Sequence, residues 1–329
     1  MTDSRTALVT GAAGFIGAHL TRRLAREGWS VRAVDVHSMP RGPETGGVDF
    51  RLVDIRDRAA MERALNRVDT VFNLASVHLD VKASSAEFES VNVRALQQLV
   101  ELAHRSGARR FIQVSSVGVY GHVEHPPAAE DAPLAPQNDY ERTKLAGEIA
   151  ATAAAQDYNV DLVILRPAWV YGTGCPRTSK IISALRKGRF FYIGDGRNLR
   201  HPVYIEDCLD AMVAAAGAGA AVARRTFNVA GPRWMTVEQM VRTFATVLRV
   251  KPPTLHVPRW AGLAAGWSAE RVAGLTGVNP PISRRTLAFF ENDNAFSTSA
   301  AREALGFKPR TELRDGVEHT IAATADGAQ

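Results

Sequence analysis

The sequence predicts an α/β fold: a doubly wound parallel sheet with a smaller mixed C-terminal domain. Three observations carry this. Short apolar runs alternate with helical patterns through the first half of the chain. Those runs are apolar throughout, as strands covered on both faces require. The first run leads into Gly11, Gly14 and Gly17, spaced across the start of a helix.

The elements follow in order. Ala7–Thr10 reads as a strand, and Phe15–Glu27 as a helix with Ile16, Leu20 and Leu24 on one face. Gly28 ends that helix, and strands follow at Val31–Val36 and Phe50–Val53. A helix over Arg58–Arg67 precedes a strand at Thr70–Leu74. Ala86–Ser106 is a long helix stopped by Gly107. The strand Arg110–Ser115, the helix Asp139–Gln156 and the strand Asp161–Arg166 complete the regular half. Beyond Pro167 come a helix near Ile181–Lys187, an apolar run at Phe190–Ile193, strand then helix over Val203–Ala216, and a strand at Thr226–Ala230. The stretch from Ala211 to Ala223 reads as a packed helix and its end. From Pro232 the pattern is helical, with proline breaks, and it ends in a frayed tail from Ala325.

Composition narrows the function. The chain has 329 residues, 46% of them hydrophobic and 22% charged, enough to bury one large core or two. Two cysteines, Cys175 and Cys208, exclude a disulfide scaffold and fit a reducing, cytoplasmic setting. No apolar run reaches a membrane span, and no basic-then-apolar leader opens the chain. The net charge of +6 comes from dispersed basic residues, which argues against nucleic acid and for an anionic small molecule. No metal-ligand pattern is read.

The glycine turn is the strongest local signal. Gly11, Gly14 and Gly17 allow a tight turn, close approach to a pyrophosphate, and close helix–strand packing. The helix N-terminus, with Phe15 and Ile16 in its first turn, supplies free N–H groups and a favourable dipole. Asp35 closes the second strand, where a carboxylate accepts both ribose hydroxyls of NAD and repels a 2′-phosphate. Arg32 faces the opposite side, so NAD is preferred to NADP. Asp54 and Ile55 are candidates for holding the adenine. Leu74, Ala75 and Ser76 are candidates for letting backbone pass close to the cofactor. All of these stand at the C-terminal ends of parallel strands.

Tyr140 and Lys144 are spaced to share one helical face, and Asn138 with Glu141 fits a capping box that starts the helix. A free phenol, with a pKa of about 10, is a poor base at neutral pH. A nearby ammonium favours the phenolate, which can take a hydroxyl proton while hydride leaves for NAD. A serine at the end of the fifth strand, Ser115 or Ser116, adds a hydrogen bond to the reacting oxygen.

Jointly, Thr10 to Gly17, Asn73 to Ser76, Ser116, Val119-Tyr120-Gly121, Tyr140 with Lys144, and Arg166-Pro167 with Val170-Tyr171-Gly172 resemble the extended short-chain dehydrogenase/reductases. The similarity continues through Gly194-Asp195-Gly196, Val203 to Asp207, and Ala300 to Pro309. It implies Ser116, Tyr140 and Lys144 as catalytic residues, with Tyr140, Lys144 and Pro167 also at the NAD. It implies a Rossmann domain over 1–170, to which 200–230 return, and a substrate domain from 171–199 and 231–320. A homodimer through a four-helix interface is also expected.

The substrate is read from departures. Sugar-nucleotide 4,6-dehydratases carry an Asp-Glu pair after the catalytic hydroxyl. Val117 and Gly118 stand there instead, so no carboxylate is available to protonate a leaving hydroxyl, and dehydration of that kind is not expected. Trp169 occupies the place of an asparagine that contacts diphosphate in many nucleotide-sugar epimerases, and so resembles hydroxysteroid-dehydrogenase-like enzymes. Arg200 pulls the other way, since it resembles the arginine that holds a nucleotide-sugar phosphate. Arg177, Lys180 and Arg197 extend that basic cleft. Trp260, Leu263, Ala264 and Trp267 form a stripe that reads first as core, otherwise as a pocket wall or membrane contact. The reading is an NAD-dependent nucleotide-sugar epimerase or ketoreductase. A dehydrogenase for hydrophobic alcohols and a non-catalytic dinucleotide sensor are the alternatives.

Overall fold

Residues 5–39, 47–78, 83–262, 264 and 289–326 are described in a computed structural model of the chain. Its strands β1 (Thr6–Thr10), β2 (Ser30–Asp35), β3 (Val48–Leu52), β4 (Thr70–Asn73), β5 (Arg110–Val114) and β6 (Leu162–Pro167) lie in one sheet. Four short strands follow in the chain: β7 (Val170–Tyr171), β8 (Tyr192–Ile193), β9 (Leu199–Arg200) and β10 (Val203–Tyr204). Then β11 (Arg225–Val229) rejoins the large sheet. The order is β11-β6-β5-β4-β1-β2-β3, seven strands, all parallel. The order reverses beside β1, which lies between β4 and β2, and that reversal opens a crevice at the carboxyl edge.

Helices cover both faces. α1 (Phe15–Arg26), α2 (Arg58–Leu65), α3 (Ser85–Glu89), α4 (Leu96–Arg105), α5 (Asp139–Asp157), α6 (Pro176–Arg186) and α7 (Ile205–Gly217) are followed by α8 (Val237–Val247), α9 (Ser299–Leu305) and α10 (Leu313–Asp326). Alternation along β1 sends Ala7 and Val9 into one core, with Leu20 and Leu24 of α1 and Leu209 and Met212 of α7. Leu8 faces the other core, with Met61 of α2, Leu96 and Leu99 of α4, and Ala151 and Ala155 of α5. A separate cluster joins Ile181 and Leu185 of α6, Val241 and Phe244 of α8, and Val317 of α10. Three short ladders complete the C-terminal part: β10–β7, β9 with β12 (Met235–Thr236), and β8 with β13 (His256–Val257). One is antiparallel, as a mixed region demands.

Several elements depart from the sequence reading: helix α6 begins at Pro176 rather than near Ile181, and the stretch from Pro232, read as helical, includes the short strands β12 and β13. Strand β3 is not apolar throughout: as an edge strand it exposes Asp49 and Leu52, and Asp49 pairs with Arg32 and Arg51. The long helix expected over Ala86–Ser106 is broken by a π-helical turn, Ser90–Ala95, between α3 and α4. Local periodicity does not reveal the extra residue of a π-turn, which recurs at functional sites. Here it presents Asn92. The Asn92 amide oxygen accepts from Ser76 Oγ at 3.0 Å and from the Val77 N–H at 2.9 Å. Its nitrogen donates to Thr143 Oγ1 at 3.0 Å. The loop after β4 is thereby tied to α5.

The π-turn lies so close to α5 that a Cβ on Gly147 would overlap the Asn92 carbonyl oxygen. Gly147→Ala is therefore expected to destabilise the fold by about 1–3 kcal/mol, because backbone must separate from backbone. Urea unfolding measures this; an unchanged midpoint contradicts the close approach.

Candidate active site

The crevice is built first by glycines. Gly11 sits at φ +68°, and a Cβ there would stand 2.7 Å from the Ala75 nitrogen and 2.8 Å from the Leu74 carbonyl carbon. A Cβ on Gly17 would overlap the Gly11 carbonyl oxygen. The β1–α1 turn thus packs directly on the chain leaving β4, at Leu74 and Ala75. Helix α1 begins after Gly14 with no side-chain cap and no acidic residue in its first turn, so its N-terminus is left for an anion. Asp35 stands at the end of β2, accepting the Ala13 N–H at 2.9 Å and the His37 N–H at 2.9 Å, one on each oxygen. Each oxygen retains a lone pair for a hydroxyl. These residues fit a dinucleotide: a glycine cradle, an uncapped helix start and a carboxylate at the ribose position.

Ile55 is buried in the sheet's second core, and the Asp54 carboxylate is bound by Arg56, whose bonds hold it below the usual carboxylate range. Arg32 turns away from Asp35 as expected and reaches the Ala64 and Asn66 carbonyls. Pro167 ends β6 beside Val229 of β11.

The chemical residues come from β5 and α5. Ser116 Oγ accepts the Gly118 N–H at 3.0 Å, which fixes its rotamer and leaves its own hydrogen to donate. Ser115 is buried, and its hydroxyl has no hydrogen-bond partner among the described residues. Asn138 caps α5 by accepting the Glu141 N–H at 3.0 Å. The reciprocal half of the expected box is displaced by one residue: Glu141 Oε2 accepts from the Gln137 N–H, at 2.8 Å, rather than from Asn138. One turn along, Lys144 is buried and donates to the Val114 carbonyl at 2.7 Å. Burial pushes its pKa down from 10.5 to about 8, against the pull of Glu148. Glu148 itself is held in a buried ion pair with Arg166 at 2.6 Å, and Arg166 donates to the Tyr120 hydroxyl at 2.8 Å. The His78 ring meets Tyr140 edge to face, with centroids 4.5 Å apart.

Val117 and Gly118 carry no carboxylate, yet one lies beside them. A Cβ on Gly118 would stand 2.9 Å from Glu141 Cγ, 3.3 Å from Ser116 Oγ and 3.5 Å from Glu141 Oε1. Glu141 of α5 thus brings a carboxylate beside Gly118.

On the C-terminal side, Arg200 is buried. It donates to Asn294 Oδ1 and the Phe289 carbonyl, and stacks over the Phe289 ring at 4.5 Å. Burial, then repulsion from Arg177, lowers its pKa to about 9. Arg177, in the first turn of α6, lies within electrostatic reach of both Arg200 and Tyr140. Its own pKa is lowered by burial, and among the described residues it makes no hydrogen bond or ion pair. Arg197 instead lines an open cavity of about 470 Å³ with Glu238 and His256. Lys180 is exposed on α6. Trp169 packs among Tyr171, Phe244 and Phe289, with centroids 6.2–6.4 Å away. The tryptophan stripe is not core where it is seen: Trp260 is 74% exposed and Ala264 is exposed, while Leu263 and Trp267 lie outside the described residues. Asn92 and His78 were not singled out from the sequence. Nothing local marks either, because their roles depend on a π-turn and a loop approach.

Residues 7–230 match the NAD dependent epimerase/dehydratase family, and the chain belongs to it. It is an NAD-dependent enzyme of the extended short-chain dehydrogenase/reductase type. UDP-glucose 4-epimerase of Mycolicibacterium smegmatis is 31% identical over 95% of this chain and 96% of its own. dTDP-glucose 4,6-dehydratase of Streptomyces griseus is 30% identical over 96% and 92%. Sterol-4-alpha-carboxylate 3-dehydrogenase, decarboxylating, of Mus musculus is 25% identical over 98% and 91%. Among solved structures, MoeE5 in complex with UDP-glucuronic acid and NAD superposes with a TM-score of 0.79 at 27% identity, covering 98% of this chain and 99% of that one.

The lowered lysine pKa gives a pH expectation. Lys144 is an ammonium below about pH 8 and neutral above it. NAD affinity, measured by titration calorimetry, should fall as pH rises through that value, and this dependence should be absent in Lys144→Met. An identical pH dependence in both proteins contradicts the assignment.

Proposed function

We propose that the enzyme oxidises and reduces a secondary alcohol on an anionic substrate, a nucleotide-linked sugar, with Ser116, Tyr140 and Lys144 as its catalytic residues. The observation that carries the substrate class is Arg177, which lies within electrostatic reach of both Tyr140 and the buried Arg200 and makes no hydrogen bond or ion pair among the described residues. Two guanidiniums within electrostatic reach of each other repel, and a diphosphate or carboxylate relieves that repulsion. UDP-glucuronic acid in MoeE5, and the nucleotide-sugar names of the relatives, support the same reading.

Bound NAD supplies the hydride acceptor. Gly11, Gly14 and Gly17 would seat its pyrophosphate, with Phe15 and Ile16 at the helix start. Asp35 would take the ribose hydroxyls, and Asp54, Ile55, Leu74, Ala75, Ser76 and Pro167 would line the rest. Ser116 donates to the reacting oxygen and Tyr140 takes its proton. Lys144 favours the phenolate as a cation one turn away. If the keto product turns over within the site before reduction, the net reaction is epimerisation; if it leaves, the enzyme is a ketoreductase. A hydrophobic alcohol is the second reading, favoured by Trp169 and its aromatic neighbours where a polar diphosphate contact is expected. We assign 1–170 with 200–230 to cofactor binding, and 171–199 with 231–320 to substrate binding. A homodimer is supported by Ile149, 64% exposed on α5. The two unpaired thiols are consistent with a cytoplasmic enzyme.

Tyr140→Phe deletes one oxygen and keeps the ring against His78. Turnover should fall at least about a hundredfold while NAD binding and the fold persist. A Tyr140→Phe enzyme with wild-type kcat removes Tyr140 from the chemistry.

Arg177→Ala should raise KM for UDP-glucuronic acid at least about tenfold while leaving NAD affinity unaltered, as loss of uniform substrate binding does. If a neutral hydrophobic alcohol is the better substrate and Arg177→Ala leaves its kinetics intact, the second reading replaces the first.

A further inference from the structure

Glu141 makes one contact that helix capping does not require. Its Cγ fills the space where a side chain on Gly118 would stand. One carboxylate oxygen points to that space and the other accepts the Gln137 N–H at 2.8 Å. Gly118 in turn donates its N–H to Ser116 Oγ, so the turn that fixes the serine rotamer is the turn on which Glu141 rests. Glu141 directly follows Tyr140 in the first turn of α5. One side chain therefore touches the element that carries the serine and holds the backbone that carries the tyrosine. The anchoring continues outward: Gln137 Oε1 accepts from Asn292 at 2.7 Å, and the Gly121 carbonyl accepts from Asn294, which also binds Arg200.

We propose that Glu141 is a positioning residue, a strut between the Ser116 turn and the start of α5, and that Gly118 is a glycine because the strut seats there. Proton transfer requires heavy atoms within about 3 Å of one another. A gap set by two separate elements, the end of β5 and the start of α5, needs a contact that holds them in register. The inference rests on the reading of Ser116 and Tyr140 as catalytic.

The test adds Gly118→Ala to three backgrounds of the full-length chain: wild type, Glu141→Gln and Glu141→Ala. Two readouts need no substrate. One is the thermal midpoint. The other is the tyrosinate absorbance at ~295 nm on pH titration, taken as the difference from the matching Tyr140→Phe protein. Among the described residues, the charged and titratable groups around Tyr140 include Lys144, Asp139 and Glu141 on its own helix, His78 from the loop after β4, and Arg177 from α6. Gln keeps the reach of the strut without its charge, and Ala removes it. In wild type and in Glu141→Gln, Gly118→Ala should lower the thermal midpoint by about 3 °C or more. It should also raise the Tyr140 titration by about half a pH unit, as the helix start relaxes away from the cations that favour phenolate. In Glu141→Ala the same methyl should do neither. If Gly118→Ala folds only in the Glu141→Ala background, the strut is equally supported. Equal effects in all three backgrounds, or failure to fold in all three, overturn it. So does loss of the effect in Glu141→Gln, which makes charge rather than contact the cause. Tyr140→Phe turnover distinguishes the two layers: wild-type kcat there defeats the catalytic reading, whereas a dead Tyr140→Phe with additive Gly118 effects defeats only the strut.

Discussion

The approach of the β1–α1 turn to the chain leaving β4 governs the rest of the site. Gly11 lies against the backbone of Leu74 and Ala75, and Gly17 lies against Gly11. No side chain fits at either place. The consequence is a helix that starts directly over the carboxyl edge of the sheet with its N–H groups uncapped. The parallel order then brings the ends of β2, β4, β5 and β6 to that same edge. Asp35, the Leu74–Ser76 stretch, Ser116 and Pro167 stand at that edge because they follow from strands of one sheet, although they are far apart in sequence.

Helix α5 is the second organising piece, and it works by being buried on its functional side. Lys144 and Glu148 are both buried on it, one turn apart. A lysine taken from water loses affinity for its proton, whereas the neighbouring carboxylate restores part of it, and the result lies near 8. That carboxylate is held by Arg166 of β6, so the lysine's environment is fixed by the sheet itself. Asn92 of the π-turn ties the helix to the loop after β4, and Glu141 of its first turn rests on the Ser116 turn.

Much of this was legible in the chain because it depends on local rules. The glycine spacing, the carboxylate at the end of β2 and the Tyr140–Lys144 interval are short-range patterns, and each sits in the structure at the strand end or helix turn that the pattern implied. Most strand and helix boundaries moved by a residue or two, as fraying ends do, whereas α6 begins five residues before Ile181, at Pro176. What was not legible depends on register between distant elements. The π-turn inserts a residue without altering the apolar periodicity. Glu141 reads as a cap from its spacing, and its reach to Gly118 is visible only when α5 lies against the Ser116 turn. Arg177 reads as one basic residue among several until the fold brings it within electrostatic reach of both Tyr140 and Arg200. Arg200 is recognisable by motif, but its bonds to Asn294 and Phe289 come from a segment about ninety residues away.

The central claim is that this crevice moves hydride between a secondary alcohol on an anionic substrate and NAD. The most direct measurement incubates the protein with NAD and UDP-glucuronic acid carrying deuterium at its ring carbinol carbons. The nicotinamide nucleotide and the recovered sugar are then analysed by mass spectrometry. The account predicts deuterium in the reduced cofactor, or in a sugar whose carbinol configuration has inverted. NAD binding without any transfer of label from this substrate, alongside transfer from a neutral hydrophobic secondary alcohol, would contradict it.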